Sequence, residues 1–553
     1  MDRRLILPLA ALPLAAQGSE AGETPHTATE QTAPPNIVLF LVDDMGWQDT
    51  SVPFHEYRTP LNDRYQTPNM ERLAEMGVRF TAAYACAISS PSRCSLLSGM
   101  NAARHRVTNW TLDYGRATDA ASDVLELPDW HWNGIQPDTA ASPHNTRNAT
   151  PVTTLPQLLR DHGYCTIHCG KAHFGAKTTP GADPRTLGFE VNIAGGANGA
   201  PGSYLARKNF GEGTPQEVLG LEKYYGQDLF LTEVLTREAI GALQEPIRRG
   251  QPFFLYMAHY AVHAPYEEDV RFTPHYRGRR DAQLGAPLNE SETRYAALVE
   301  GMDRSLGDLL DFLGQHPETA RNTIILFMSD NGGHCLGQDK GGEPHTQNLP
   351  LREGKASVYE GGIRVPLIFR WPGKAAEGTR LNTPVINEDI FPTILEMAGV
   401  KHYETVQECD GLSLARLITA GSKMVAKAQK RGEIATQKEA NAFVVPASVS
   451  GVDPERELIF HYPHQYRVED QDDIDFMSAV RKGDWKLVYR MHTGELELYN
   501  LRDDIGERND LAASHPERVA ELAKALGDRL RAWKAPMPTV RATGKPVPMP
   551  DEL

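Results

Sequence analysis

The sequence contains few cysteines, no excess of basic residues and, beyond its N-terminus, no long hydrophobic run. Six cysteines in 553 residues are too few for a disulfide scaffold, and Cys165 and Cys169 lack the second closely spaced pair that a structural zinc site needs. The net charge of −15 argues against general binding to nucleic acid or to anionic lipid. A small anionic substrate remains open, but the cations that bind it would have to be gathered locally. No internal repeats and no transmembrane segment are recognisable downstream of the N-terminus.

The N-terminus, MDRRLILPLAALPLAAQGSEAG, has the pattern of a secretory signal peptide. Two arginines provide a basic start, an apolar stretch follows, and small residues come next. Pro8 and Pro13 argue against a hydrophobic first strand, and the lack of a cysteine after the apolar stretch argues against a lipid anchor. We predict a signal peptide at residues 1–18, a flexible leader at residues 19–35, and a periplasmic or secreted bacterial protein.

Four apolar runs, NIVLFLV, YCTIHCG, PFFLYMA and TIILFMS, have the composition of strands buried on both faces of a parallel sheet. Amphipathic helical patterns lie between them, and this alternation predicts an α/β/α sandwich with a mainly parallel central sheet. From about Arg456 onward, short strands separated by turns predict a smaller α+β subdomain with an antiparallel sheet. We therefore place a catalytic domain at residues 36–455, with an exposed helical insertion at residues 421–447, and a C-terminal subdomain at residues 456–553.

The stretch SSPSRCSLLSG, residues 89–99, combines a hydroxyl group and a cation at the predicted start of a helix. Pro91 suits the first helical turn because its φ is already helical. Ser89 then lies at the helix entrance, where free N–H groups favour an anion, and Arg93 lies about one turn further on. The simpler interpretation is a capped helix start with a surface arginine.

Polar groups follow each of the four predicted buried strands. Ligands bind beyond the carboxyl ends of the strands in open α/β sheets, so these groups are expected to meet. They are Asp43 and Asp44, Lys171 and His173, His259 and His263, and Asp330 and Asn331. The oxygen donors among them suit a hard cation such as Ca²⁺ and not zinc, although ligand type leaves Mg²⁺ and Mn²⁺ open. Lys355, in LPLREGKASVYEGGIRVP, adds a further cation, which taken alone is typical of a solvated surface lysine.

Several of these motifs together resemble the sulfatase family of the alkaline phosphatase superfamily, the formylglycine-dependent (type I) sulfatases. The motifs LVDD, SSPSRCSLLSG, GKAHFG, HAPY, SDNGG and GKASVYEGGIRVP occur in the family's order across residues 36–366. RKGDWKLVY and LELYNL resemble the family's C-terminal subdomain. Two positions depart from the family pattern: Ala172 replaces a frequent tryptophan, which would open the pocket wall, and Val262 replaces a common proline.

The resemblance implies that Ser89 is converted after synthesis to formylglycine, whose hydrated aldehyde is the nucleophile. A serine alkoxide would be trapped as a stable sulfate ester, whereas the second hydroxyl of a geminal diol can be deprotonated to expel sulfate. A serine precursor resembles the bacterial sulfatases matured by a radical enzyme, so a transient serine-type sulfatase-maturating enzyme is an expected partner. The resemblance also implies one Ca²⁺ ion, which would hold the sulfate and lower the pKa of the diol. Its implied ligands are Asp43, Asp44, Ser89, Asp330 and Asn331.

The same resemblance implies a role for each remaining catalytic candidate. Arg93 would stabilise the diol, and His173 would be the base that collapses the sulfated intermediate. Lys171 and Lys355 would bind the sulfate oxygens, and His263 would protonate the leaving alcohol.

Aromatic and polar residues in loops near the inferred active-site rim are candidates for contacts to a sugar. The predicted substrate-binding set is Trp110, His131, His334, His345, Asn348, Arg352 and His464, with Trp47, Trp132, His461 and Arg467 as further candidates. For each of them, ordinary packing or surface duty is the alternative. The segments QNLPLREGK and FHYPHQY resemble those of bacterial polysaccharide sulfatases that remove sulfate from galactose-type sugars, frequently at O4. A sulfated oligosaccharide is therefore the expected substrate.

Two other functions compete with this interpretation. A phosphatase or phosphotransferase of the same superfamily would use unmodified Ser89, but such enzymes generally need two zinc ions and further His and Asp ligands. A secreted glycan-binding relative without catalysis would show an eroded motif, whereas every expected catalytic position is filled here.

Overall fold

A computed structural model describes residues 33–138, 146–282, 285–335, 345–466 and 474–553. The predicted signal peptide, most of the leader and the candidate Arg467 lie outside these residues. Within the described part of the chain, no helix has both the length and the apolar character needed to cross a membrane.

Eight strands form the central sheet. In chain order they are β1 (Asn36–Val42), β2 (Val78–Phe80), β3 (Cys165–Gly170), β4 (Val191–Ile193), β5 (Phe253–Ala258), β6 (Thr323–Ser329), β7 (Leu367–Arg370) and β8 (Thr379–Leu381). Across the sheet the order is β8-β2-β7-β6-β1-β5-β3-β4. All neighbours are parallel except β7, which runs antiparallel to both β6 and β2. The predicted mainly parallel sheet is confirmed, and the four predicted apolar strands β6, β1, β5 and β3 lie side by side.

Helices cover both faces of this sheet, as the alternation of side chains along β1 shows. Ile37, Leu39 and Leu41 belong to one buried core, whereas Val38 and Phe40 belong to a second core on the opposite face. The first core includes residues of α2 (Ser89–Ser98), α3 (Leu155–Asp161) and α6 (Ile390–Met397). The second includes residues of α1 (Pro68–Glu75), α4 (Leu231–Arg249) and α5 (Glu290–Gly314). The predicted α/β/α sandwich is therefore confirmed.

Shorter elements connect these layers. The short helices are Pro60–Arg64, Ala102–His105, Thr273–Tyr276, Pro317–Arg321, Glu360–Ile363, Gln437–Ala442 and Ala447–Ser450. The short strand pairs are Ala83–Tyr84 with Val385–Ile386 and Ile135–Pro137 with Thr150–Val152, and Leu125–Glu126 pairs with Thr539–Val540, which also pairs with Lys545–Pro546. In the segment 421–447, α7 (Ser422–Lys430) exposes its lysines and buries Val425 and Ala428 against the first core.

The C-terminal region carries a separate antiparallel sheet, as predicted. Its strands are β9 (Glu457–Tyr462), β10 (Met477–Lys482), β11 (Trp485–Arg490) and β12 (Glu495–Asn500), paired in that order. One face of the sheet packs on α8 (Pro516–Trp533), whose Leu522, Leu526 and Leu530 are buried. The domain boundary at residue 456 stays a prediction, since the described residues from Pro34 onward form one compact unit.

A buried ionic network joins the C-terminal sheet to the segment that follows Lys355. The Lys486 Nζ lies 3.0 Å from Glu360 Oε1 and 2.7 Å from Glu507 Oε1. The backbone N–H of Glu360 also donates to Glu507 Oε2 at 2.6 Å. Because a buried charge is tolerated only when it is paired, this network anchors the segment around Glu360 to the C-terminal sheet.

Buried Glu388 gives a prediction for stability. Its Oε1 accepts from Asn101 Nδ2 at 2.8 Å, while Oε2 has no hydrogen-bond partner among the described residues. Burial raises the pKa of Glu388 from 4.5 to about 8, and neighbouring Asp389 adds to the shift. Between these two values the folded state keeps a proton that the unfolded state loses, so the free energy of unfolding falls as pH rises through this window.

Glu388→Gln is expected to remove that dependence. The melting temperatures of the variant and the wild type should agree at pH 5, and the variant should melt a few degrees higher at pH 9. An equal difference at both pH values would show that Glu388 does not retain its proton in the folded protein.

Candidate active site

Oxygen ligands converge where β1 and β6 end side by side. Val42 pairs with Ser329 at the last position of the two strands, so the residues that follow share one edge of the sheet. Each of Asp43, Asp44 and Asp330 offers a carboxylate oxygen, and these oxygens lie within 4.8 Å of one another. Asn331 joins them, with its Nδ2 donating to Asp44 Oδ1 at 2.8 Å. The four residues predicted to ligate a cation from two strand ends are therefore together.

Ser89 is the first residue of α2 and is almost completely buried. Its Oγ lies 3.1 Å from Asp43 Oδ1, 3.2 Å from Asn331 Oδ1 and 3.0 Å from Lys171 Nζ. The helix ends at Gly99, whose φ of 70° is accessible to glycine at little cost. The helix start thus places the predicted nucleophile against the acidic cluster.

Three cations balance the three carboxylates. The Arg93 Nε and one of its Nη atoms each lie 2.8 Å from Asp330 Oδ2. The Nζ of Lys171 donates to Asp43 Oδ2 at 2.7 Å, and the Nζ of Lys355 lies 2.8 Å from Asp44 Oδ1. All six side chains are buried, so the simple interpretations of Arg93 and Lys355 as surface charges are wrong.

The pKa values of Asp43 and Asp44 differ because their cationic neighbours offset the effect of burial to different extents. Burial alone would raise the pKa of Asp44, but the ammonium group of Lys355 holds it well below its usual value. Burial raises the pKa of Asp43 to about 8, because Lys171 only partly offsets it. A cation beside Asp43 would favour its ionised form. The set of oxygen donors, which includes a carboxyl group that a bound cation would ionise, therefore fits a hard cation such as Ca²⁺.

Two imidazoles flank the cluster. The Nε2 of His173 donates to the carbonyl of Thr111 at 2.8 Å, which leaves Nδ1 as the basic nitrogen with no hydrogen-bond partner in the described residues. The Nδ1 of His263 bonds the carbonyl of Ala264 at 2.7 Å, while its Nε2 lies 3.6 Å from Asp44 Oδ2. Burial, assisted by Lys355, lowers the pKa of His263 to about 3, and burial beside Lys171 holds that of His173 well below its usual value.

A cavity of about 150 Å³ opens onto these groups. Its lining residues are Ile88, Ser89, Trp110, Lys171, His173, Gly199, Ala200, Gln216, His263, Lys355 and Tyr466. Five of the six predicted catalytic residues thus face one space, and the sixth, Arg93, lies behind Asp330. Gly199 is required for this shape, since a Cβ there would lie 2.5 Å from His173 Cε1. Ala172 is fully buried and does not line the cavity.

Among the seven predicted sugar-binding residues, Trp110 lines the cavity and the other six do not. The Nδ1 of His131 lies 2.6 Å from Thr150 Oγ1, and Asn348 Nδ2 donates to the carbonyls of Gly333 and Glu353. These two side chains stabilise loops.

The remaining four hold the surroundings of the site together. The ring of His345 is buried against Tyr266 and lies 5.9 Å from that of His334. Arg352 lies over the ring of Tyr359, 3.8 Å from its centroid. His464 is fully buried between two polar partners.

The further candidates Trp47, Trp132 and His461 also lie outside the cavity lining. Trp47 is buried beneath Arg364, and Trp132 packs edge-on against Trp130. The imidazole of His461 bonds the hydroxyl of Ser478 and a backbone carbonyl.

Five further lining residues were not among the sequence predictions: Ile88, Gly199, Ala200, Gln216 and Tyr466. The Oε1 of Gln216 accepts the backbone N–H groups of Gly199 and Ala200 at 3.1 and 3.3 Å, which shapes the loop beside His173. Tyr466 ends the FHYPHQY segment, so the motif that was singled out for its histidines does reach the cavity through its tyrosine.

The fold and the site define a hydrolase built on an α/β/α sandwich. A small anionic group can enter its buried pocket, which is lined by a hydroxyl group, two ammonium groups and two imidazoles. The family model described as Sulfatase matches residues 35–400. The chain belongs to the sulfatase family and is a sulfuric ester hydrolase, as predicted.

Known relatives support this assignment over most of the chain. A sulfatase of Formosa agariphila is 28% identical over 558 residues, covering 92% of this chain and 90% of its own. The N-acetylgalactosamine-6-sulfatase of Mus musculus is 31% identical over 434 residues, covering 76% and 71%.

Solved structures share the fold. Ps i-CgsB in complex with k-i-k-neocarrahexaose has a TM-score of 0.62 at 23% identity, covering 90% of this chain and 93% of its own. The PsFucS1 sulfatase of Pseudoalteromonas sp. has a TM-score of 0.61 at 20% identity, covering 91% of each chain.

Proposed function

We propose that the protein hydrolyses sulfate esters of a sulfated glycan, with a nucleophile derived from Ser89. The observation that carries this proposal is the position of the Ser89 Oγ, which lines the cavity while lying 3.0 Å from Lys171 Nζ and 3.1 Å from Asp43 Oδ1. The names of a relative and a structural neighbour, an N-acetylgalactosamine-6-sulfatase and a protein bound to a neocarrahexaose, support a carbohydrate substrate.

The working form of residue 89 in this proposal is formylglycine, and one Ca²⁺ ion accompanies it. Asp43, Asp44, Asp330 and Asn331 would hold the ion together with the modified side chain of residue 89. When bound, the ion supplies positive charge beside the sulfate oxygens and the nucleophilic hydroxyl, and the hydrated aldehyde supplies that hydroxyl.

The chain's own residues bind the sulfate and move protons. Lys171 and Lys355 reach the cavity from two different elements, and their ammonium groups bind the sulfate oxygens and stabilise charge that develops in the transition state. The Nδ1 of His173 is free to accept a proton, since Thr111 occupies its Nε2. His263 lines the same cavity, and the negative charge of a bound sulfate would favour protonation of its ring for transfer to the leaving alcohol.

The proposed sugar is of the galactose type, with sulfate at O4. The motifs QNLPLREGK and FHYPHQY support this choice, and the second of them supplies Tyr466 to the cavity. Protein with modified residue 89 is expected to hydrolyse galactose 4-sulfate faster than glucosamine 6-sulfate in a panel of singly sulfated monosaccharides. Activity on glucosamine 6-sulfate with none on the galactose sulfates would contradict the proposed sugar, and no activity on any sulfated sugar would contradict the proposed substrate class.

A phosphatase that uses unmodified Ser89 is the competing function. Among the described residues, Asp43, Asp44 and Asp330 form the single cluster of His, Cys, Asp or Glu side chains that could hold a metal ion. This finding favours one hard cation over a two-zinc centre. Assays of the sulfate ester and the phosphate monoester of the same sugar separate the two functions. A sulfatase hydrolyses the sulfate ester faster, and a phosphatase that uses unmodified Ser89 hydrolyses the phosphate ester faster.

Export to the periplasm or the medium and maturation by a serine-type sulfatase-maturating enzyme complete the proposal. The N-terminal sequence supports the first, and the Pro-Ser-Arg that follows Ser89 and Ser90 supports the second.

A further inference from the structure

Two aromatic side chains line the cavity from distant parts of the chain. Trp110 lies in the loop after the helix Ala102–His105, and Tyr466 follows β9 in the C-terminal region. Both are partly buried and pack on the same small hydrophobic core. The catalytic residues described above account for the anion-binding end of the cavity and give neither aromatic residue a role.

A buried hydrogen-bonded group lies two residues along the chain from each of these aromatic residues, at His464 and Thr108. His464 is fully buried, with its Nδ1 bonded to Asp119 Oδ1 and its Nε2 lying 2.7 Å from Thr108 Oγ1. The other carboxylate oxygen of Asp119 accepts from Trp130 Nε1 at 2.8 Å. Since both ring nitrogens of His464 are engaged inside the protein, this histidine cannot contact a substrate.

Further hydrogen bonds hold the segments on either side of the Asp119–His464 pair. The N–H of Ala120 donates to the carbonyl of Gln465 at 3.1 Å. The hydroxyl of Thr118 donates to the carbonyl of Trp110 at 2.5 Å, and the N–H of Tyr466 donates to Asp475 Oδ1 at 3.2 Å. The loop that carries Trp110 and the segment that carries Tyr466 are therefore held in one fixed arrangement.

We propose that Trp110 and Tyr466 form the aromatic walls of the subsite for the sugar that bears the sulfate ester, and that the Asp119–His464 pair positions them. The proposal rests on the proposed glycan sulfatase activity. Aromatic rings cover the apolar face of a ligand, while a few polar groups fix its orientation. Here the lysines and histidines bind the sulfate end, and Trp110 and Tyr466 are left for the sugar. His464, predicted from sequence as a sugar contact, becomes a positioning residue.

Kinetics with two ligands test the proposal. The sugar sulfate that the wild type hydrolyses fastest reports on both ends of the cavity, whereas inorganic sulfate, used as a competitive inhibitor, has no sugar. Trp110→Ala and Tyr466→Ala are each expected to raise KM for the sugar sulfate about tenfold and to change kcat less than about threefold, because uniform binding is lost. The inhibition constant of inorganic sulfate should stay within about twofold of the wild-type value.

Two further variants complete the experiment. Tyr114→Ala is the matched control, because Tyr114 lies in the same loop as Trp110 but is 59% exposed and does not line the cavity; it should behave as wild type. His464→Ala should raise KM as Tyr466→Ala does, and the double variant should add little, since the two residues act through one arrangement. Asp119→Asn provides a milder change at the same pair, with a smaller rise in KM, should His464→Ala fail to fold.

The outcomes separate this proposal from the one it rests on. Unchanged KM in Tyr466→Ala and Trp110→Ala, or an equal loss of affinity for inorganic sulfate, would overturn the aromatic subsite while the sulfatase activity stands. A wild type with modified residue 89 that hydrolyses no sugar sulfate would overturn the proposed function, and the subsite with it.

Discussion

Ser89→Ala should reduce kcat for sulfate esters at least about 10⁴-fold, with the protein folded. Removing the nucleophile of a hydrolase costs this much or more even when the rest of the site is intact. Here the lost oxygen is the one that Lys171, Asp43 and Asn331 surround at 3.0 to 3.2 Å. Alanine also provides no side chain that a maturating enzyme could oxidise, so modification cannot restore activity.

Ser98→Ala is the matched control for this loss. Ser98 lies on the same helix and is equally buried, but its hydroxyl donates to the carbonyl of Cys94 at 2.7 Å, away from the cavity. Steady-state assays of both variants should show near wild-type turnover in Ser98→Ala. A Ser89→Ala protein that keeps more than about one per cent of wild-type kcat would show that another group is the nucleophile.

Asp330→Ala should lower the free energy of unfolding by about 3–5 kcal/mol, in addition to abolishing activity. Arg93 is fully buried and makes two 2.8 Å contacts with Asp330 Oδ2, so the substitution leaves an uncompensated buried charge. Besides Asp330, the guanidinium has the carbonyl of Lys171 at 2.8 Å and, at 3.9 Å, a carboxylate oxygen of Asp43. Urea unfolding of chelator-treated protein measures the loss without a contribution from metal binding.

Asp311→Ala tests whether burial causes that loss. Asp311 forms the same type of pair with Arg72, at 2.6 Å, but the two side chains are 63% and 43% exposed. An exposed pair of this kind contributes about 0–1 kcal/mol. Equal losses in the two variants would contradict the account of Arg93 as a buried charge that depends on Asp330.

The central sheet and the convergence of polar groups at its strand ends were predictable because their signals are local. After Asn36, the run IVLFLV has no polar position, which is typical of a strand covered on both faces. In a parallel sheet, the carboxyl end of such a strand lies beside the carboxyl ends of its neighbours. Asp43 and Asp330 could be brought together on that rule alone. The antiparallel direction of β7 had no such signal, since direction depends on the path of the chain between strands.

The sugar-binding candidates show where local signals end. His464 and Arg352 are residue types that often occur at the rim of an active site. In the structure, however, His464 bonds Thr108, more than 300 positions away, and Arg352 bonds Tyr499 of the C-terminal sheet. Whether a polar side chain faces a cavity or a buried partner depends on those long-range contacts. Tyr466 was missed for the same reason, because its place at the cavity follows from the bonds of Gln465 and Asp475.

The central claim is that the encoded serine at position 89 is not the working group. Peptide mass spectrometry of protein expressed in a host with a serine-type maturating enzyme tests it most directly. The account predicts that the peptide containing residue 89 has lost two hydrogens, as expected for an aldehyde in place of the hydroxyl. A preparation that hydrolyses sulfate esters while this peptide carries only unmodified serine would contradict it.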